Sequence, residues 1–183
     1  MKLFKKLAAV ALAAVLALSM VGCGKTNSVN STKQLVLDLI ADNADWYGGE
    51  CNNTAAMDGI AQNLLNKAAE LYRSEEQTDK SAGALLKAAS KAEGMGFDAT
   101  KAYLVNWAED YQYNSSIFSN ADKQEIFFMH LTQNYFIVSQ GGTFNTKKAD
   151  VGVAVGKIGD KTYVVMVTMP TETAAAPGTT TKD

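Results

Sequence analysis

Residues 149–169 read ADVGVAVGKIGDKTYVVMVTM, and this stretch decides the fold. Two runs rich in valine flank Gly159 and Asp160, which supply turn chemistry. Residues 149–156 and 161–169 are therefore expected to be strands of one hairpin, turning around Ile158 to Lys161. NYFIVS (134–139) reads as a further strand, and Ala102 to Trp107 as an earlier one. Upstream the pattern is helical. Ser31 and Thr32 can cap a helix with Leu35, Val36, Leu39 and Ile40 on its apolar side, ending before Gly48 and Gly49. Thr54 opens the strongest amphipathic pattern, in which Met57, Ile60, Leu64, Ala68, Leu71 and Tyr72 recur at helical spacing. Ser81 caps a third helix, with Leu85, Leu86 and Ala89 inward and Gly94 as its C′ residue. Asn120 can cap a fourth, running from Ala121 towards Met129. Helices first and a sheet built late predict an α+β fold, with helices packed on a mainly antiparallel sheet.

The chain begins MKLFKKLAAVALAAVLALSMVGCGK. Lys2, Lys5 and Lys6 precede an apolar stretch from Leu7 to Val21, followed by Gly22 and Cys23. This is the pattern of a secretory signal, too short and wrongly flanked for a membrane span. SMVGC resembles the bacterial lipobox, with Met20 where leucine is usual. The resemblance implies cleavage before Cys23 and a diacylglyceryl thioether on its sulfur. An incidental cysteine in an ordinary secreted protein is the alternative, but a thiol placed directly behind the apolar stretch is hard to explain that way. The expected organisation is a signal peptide over 1–22, a lipidated tether over 23–32, one domain over 33–170 and a disordered tail over 171–183. The protein is expected to be exported and held at the cell membrane through Cys23, with its domain outside the cytoplasm.

Charge narrows the partners. The chain has 17 basic and 19 acidic side chains, net −2; losing Lys2, Lys5 and Lys6 leaves 14 against 19, net −5. Such a domain has no basic stripe for phosphates, so nucleic acid is not an expected partner. With Cys23 lipidated, Cys51 has no internal disulfide partner. Two cysteines and one histidine also cannot close a structural zinc site. No metal and no cofactor is expected.

HLTQNYFIVSQ (130–140), VGVA (151–154) and YVV (163–165) together resemble the C-terminal half of the CAP superfamily, the SCP-like domains of cysteine-rich secretory, antigen 5 and pathogenesis-related proteins. There a His-Tyr/Phe-Thr-Gln motif leads into a strand, and VGVGVA-type and YVV-type strands follow. His130, Thr132 and Gln133 match the first motif. The resemblance implies a three-layer α/β/α sandwich, with His130 at the mouth of a cleft at the start of a central strand. It also implies that Asn106 corresponds to the asparagine of the family's Gly-Glu-Asn segment. Two departures stand out. The family's cleft presents two histidines and two acidic residues, whereas this chain has one histidine. The segment between His130 and Val151 is longer than the family's, with QGGTFNTKK as an inserted loop.

The candidate ligand-binding residues are His130, Thr132, Gln133, Asn106, Tyr111 and Tyr113. Strand alternation would group His130 with Thr132 and Asn134, and a continuing helix would group it with Gln133 and Asn134. In neither case does spacing fix a carboxylate beside it. Glu109 and Asp110 are adjacent, so a strand would send them to opposite faces, and both read as solvated. Trp107 reads as core. Tyr111 and Tyr113 share strand parity in a polar context and could present a ligand face. Cys51 lies just before a helix, yet Glu50 opposes thiolate formation, so it reads as an idle thiol. No residue is assigned a catalytic role. The expected function is non-catalytic binding of a small amphiphile, glycan or protein in the cell envelope. The alternatives are an envelope hydrolase using His130, or a structural or assembly component.

Overall fold

The computed structural model describes residues 26–42, 50–110, 120–138 and 146–173. The elements in chain order are helix α1 (Thr26–Asp42), strand β1 (Glu50–Asn53), helices α2 (Ala55–Arg73) and α3 (Ala82–Ala89), strand β2 (Tyr103–Glu109), helix α4 (Asn120–Gln133), and strands β3 (Tyr135–Val138), β4 (Thr146–Ile158) and β5 (Lys161–Thr173). The chain divides after Thr32 into two units, the second being Lys33–Asp183. Of the first, only the opening residues of α1 are described. Everything below concerns the second.

The hairpin of β4 and β5 is the spine of the sheet. Its register runs from Ile158↔Lys161 through Val151↔Thr168, closed by the two-residue turn Gly159-Asp160. Gly159 has φ 66°, and a Cβ there would meet the Tyr72 ring at 2.6 Å. Glycine is thus required twice over, by the left-handed backbone and by the ring. β2 joins β5 and β3 joins β2, both antiparallel, while β1 pairs with β4 in parallel. The five-stranded order is β1-β4-β5-β2-β3.

Alternation along β5 divides two cores. Val165 and Val167 face α2 and α3 in a cluster with Leu64, Leu65, Leu85, Leu86 and Val105. Val164 and Met166 face the opposite way, packing with Val36 and Ile40 of α1 and with Phe127 and Leu131 of α4. The sheet is therefore buried on both sides, and the molecule is an α+β, three-layer α/β/α arrangement on a mainly antiparallel sheet.

α2 shows why this sequence folds so. Thr54 caps it by accepting from the Met57 N–H, and Asp58 and Arg73 sit in its first and last turns, where the helix dipole favours them. Its buried stripe is Met57, Ile60, Ala61, Leu64, Leu65 and Ala68. The sheet beneath offers Gly152, Ala154 and Gly156, small residues on alternate positions of β4. A Cβ at Gly152 would come within 2.0 Å of the Met57 carbonyl, and one at Gly156 within 2.7 Å of Leu65 Cδ2. The VGVAVG motif is a seat for the helix backbone.

Several boundaries differ from expectation. α1 begins at Thr26, so Ser31 and Thr32 lie inside it and the residues read as tether are helical from Thr26. The apolar stripe starting at Leu35 drew attention to a later start than the hydrogen-bonded turns have. α4 continues to Gln133, which places His130, Thr132 and Gln133 in its last turn. His130 thus does not open a strand, and the strand that follows, β3, lies at an edge of the sheet. α3 ends at Ala89; Gly94 does adopt a positive φ, 76°, but in the turn beyond. Thr171–Thr173, expected in the tail, belong to β5. Pro170 has no N–H to donate, and it sits opposite Ala149 beside a register shift at Lys148, where a proline is tolerated.

Candidate functional site

Strand β3 pairs with β2 only from Tyr103 to Asn106. Beyond that point the edge of β2 is free for other elements, and the end of α4 takes the place. Asn134 terminates that helix by folding back on it: its backbone N–H and its Nδ2 both donate to the His130 carbonyl, at 3.3 and 2.8 Å. The Asn134 carbonyl in turn accepts from the Trp107 N–H at 3.2 Å. His130 is thereby held beside the last residues of β2.

On the sheet face covered by α3, Trp107 and Glu109 project on the same side of β2, and Tyr163 of β5 stands directly opposite Glu109. The first residues of α3 close the other wall. Ser81 caps this helix, accepting from the Ala84 N–H. Gly83 follows, and a Cβ on it would lie 2.7 Å from Trp107 Cζ2, so the indole can lie against the helix only because position 83 has no side chain. Phe136 supports the ring from beneath, with centroids 5.8 Å apart. Ser81, Gly83, Trp107, Glu109, His130, Asn134 and Tyr163 line one cavity of about 390 Å³.

The cavity's electrostatics follow from these neighbours. Lys161 donates to Glu109 Oε2 at 3.0 Å, and that hydrogen bond raises the lysine's pKa. Glu109 is mostly sheltered, its side chain 21% exposed. Burial, and then the negative charge of Glu109, push the Tyr163 phenol up, so it keeps its proton at neutral pH and can donate. The His130 ring makes no hydrogen bond with a described residue. The cavity therefore offers a phenol, an imidazole, a lysine-braced carboxylate and an indole wall: polar groups converging beside one large apolar surface.

Of the described candidates, His130 alone lines this cavity. Asn106 is on the opposite face of the sheet, 2% exposed, with its Nδ2 donating to the Leu131 carbonyl at 3.1 Å. Its place in the strand turns it towards α4, which corrects its reading as a ligand contact. Thr132 is turned back on its own helix, its hydroxyl donating to the Met129 carbonyl at 3.0 Å, and Gln133 is exposed at the helix end. Neither borders the cavity. Tyr111, Tyr113 and Cys23 lie outside the described residues. Burial pushes the Cys51 thiol up, away from the reactive thiolate.

The sequence reading missed Glu109 and Tyr163 and grouped Asn134 with His130 without making it a candidate. Trp107, read as core, does pack against the core, half-buried, and also walls the cavity. β2 extends to Glu109, two residues past the expected end. The shared parity of Trp107 and Glu109 on that longer strand is the signal that could have found the pair. Among the described residues no group of three or more His, Cys, Asp or Glu side chains could hold a metal ion, and no helix is long and apolar enough to cross a membrane. No protein-family model, curated protein or solved structure matches the chain.

Proposed function

We propose that this chain is an exported lipoprotein, anchored through Cys23, whose CAP-like domain binds a small envelope ligand in the cavity beside His130 without turning it over. The observation that carries the binding reading is the convergence of His130, Glu109, Tyr163 and Trp107 on one cavity from three separate elements. A largely apolar wall with a few convergent polar groups is the usual character of a small-molecule site. A glycan fits best. One face of a sugar ring suits the indole, and its hydroxyls suit the phenol, imidazole and carboxylate. The three-layer arrangement supports the CAP-like reading, as the layer order that the resemblance implies.

A second reading has one observation in its favour. Ser81, His130 and Glu109 line the same cavity, which would suit a hydrolase. Against it, the Ser81 hydroxyl is occupied as a helix cap, Glu109 is held by Lys161, and the His130 ring is hydrogen-bonded to neither. A nucleophile needs its base within hydrogen-bond reach, and the base needs an orienting partner.

The test is titration of the full chain, in a Trp46→Phe background, with N-acetylglucosamine oligomers while Trp107 fluorescence is followed. A saturable change is expected, with affinity reduced at least tenfold in His130→Ala and Tyr163→Phe and an unchanged melting temperature. No saturable change overturns the glycan reading. Release of shortened oligomers, lost in His130→Ala and Ser81→Ala, puts the hydrolase first.

A further inference from the structure

A second cavity, of about 590 Å³, lies between the segment following α3 and the edge strand β3, and shares no lining residue with the cavity at His130. Its apolar floor is Met95, Phe97, Phe136 and Val138, all partly buried against the α2–α3 core. Its rim carries Lys87, Lys91 and Lys101, all exposed. None of the three ammonium groups makes a hydrogen bond or ion pair with a described residue, though the charge of Lys101 acts on Asp98. Two carboxylates also reach the rim, Glu93 and Asp98. Asp98 is already engaged, accepting from the Thr100 N–H and hydroxyl at 2.8 and 2.7 Å. The chain as a whole is net negative, yet this rim collects three lysines against two acids.

The cavity wall is preformed. Gly94 and Gly96 have φ of 76° and 92°, which set the turn after α3, and a Cβ at Gly96 would press on Ile60 Cγ1 at 3.1 Å. The Tyr103 hydroxyl accepts from the Asp98 N–H at 3.0 Å, and the Phe97 and Tyr103 rings meet edge-on at 4.9 Å. A segment tied to β2 by a hydrogen bond and a ring contact, and to α2 by Ile60, has little ordering left to lose when a ligand arrives.

We propose that this cavity binds a small anionic amphiphile: a hydrocarbon tail against Met95, Phe97, Phe136 and Val138, and one carboxylate or phosphate headgroup among Lys87, Lys91 and Lys101. An apolar floor supplies affinity through buried area, and the exposed ammonium groups, three against two carboxylates at the rim, select the sign of the headgroup. The site shares no lining residue with the glycan cavity, although its Phe136 packs on Trp107 of that cavity, and the proposal does not rest on the glycan reading.

The experiment is calorimetric titration of the purified full chain with dodecanoate, dodecyl phosphate and dodecyltrimethylammonium, each kept below its micelle-forming concentration. One dodecanoate or dodecyl phosphate should bind per chain, at least tenfold tighter than the cationic amphiphile. Tighter binding of one anion than the other identifies the headgroup. Combined Lys87→Gln, Lys91→Gln and Lys101→Gln should abolish the preference for anions while leaving the melting temperature unchanged. Carbon-13 methyl spectra of the unsubstituted protein, with the Met95 signal assigned by Met95→Leu, should show that signal moving on titration and so give a readout independent of the triple variant. Equal affinity for the anions and the cation, anion preference retained in the triple variant, or an unmoved Met95 methyl each overturns the proposal.

Discussion

Asp58, in the first turn of α2, accepts the backbone N–H of Val153 on β4 at 2.9 Å. The reason is the shortness of β1, whose pairing with β4 ends at Asn53↔Val151. Val153 points to the same edge two residues further on, where no strand remains to meet it, and the carboxylate takes the strand's place. Asn53 donates to the same oxygen and to the Val151 carbonyl, each at 2.9 Å, and Lys33 of α1 pairs with the other oxygen. One side chain thus joins α1, β1, α2 and β4.

This arrangement predicts a pH dependence. Burial works against ionisation of Asp58 and is the largest single influence. The hydrogen bonds from Lys33, Val153 and Asn53, with the charge of Lys33, outweigh it and hold the carboxyl below its ordinary value. A group whose pKa is lower in the folded state adds stability above its unfolded value, about 3.9, and that stability is lost as pH falls through the folded value. Chemical denaturation between pH 6 and pH 2 should show a component of acid destabilisation that Asp58→Asn lacks. Asp58→Ala should cost roughly 1–3 kcal/mol at neutral pH, because it leaves the Val153 N–H unmet.

Two glycines of the same region should respond in opposite directions to alanine. At Gly152 the added Cβ meets helix backbone at 2.0 Å, which no rotamer change relieves, and a loss of roughly 1–3 kcal/mol or more is expected. At Gly59, exposed within α2, a Cβ meets nothing within 4 Å, and alanine should stabilise by about 0.5–1 kcal/mol. Thermal unfolding of the two variants checks the seat that β4 makes for α2.

Asn106→Ala should lower stability by roughly 1–3 kcal/mol, since it deprives the buried end of α4 of the donor that meets the Leu131 carbonyl. Titration with N-acetylglucosamine oligomers should give the parent's affinity. Reduced binding with an unchanged melting temperature would return Asn106 to the ligand site.

Cys23→Ser should release the protein to the soluble fraction or leave an unprocessed precursor. Fractionation with mass measurement decides it. Partition of the Ser variant into membranes at its mature mass would end the lipid-anchor reading.

The sequence alone determined what depends on near neighbours along the chain. Thr54 and Ser81 cap their helices because a cap needs only the N–H three residues ahead. Gly159-Asp160 closes the hairpin because turn geometry lies in those residues. The α+β class follows from the order of the two periodicities. Only the tertiary structure decided the rest. β1 is the polar tetrapeptide ECNN, with no apolar alternation to announce it, and it is a strand because β4 offers an unpaired edge. Glu109 read as solvated because its shelter comes from Tyr163, 54 residues away and paired with it in register, and from Lys161. His130 had no partner within reach along the chain, and it meets Glu109 and Trp107 at one cavity only because β3 stops short and α4 ends against β2. Such contacts are set by strand pairing and layer packing between distant segments, and periodicity along a single segment carries no record of them.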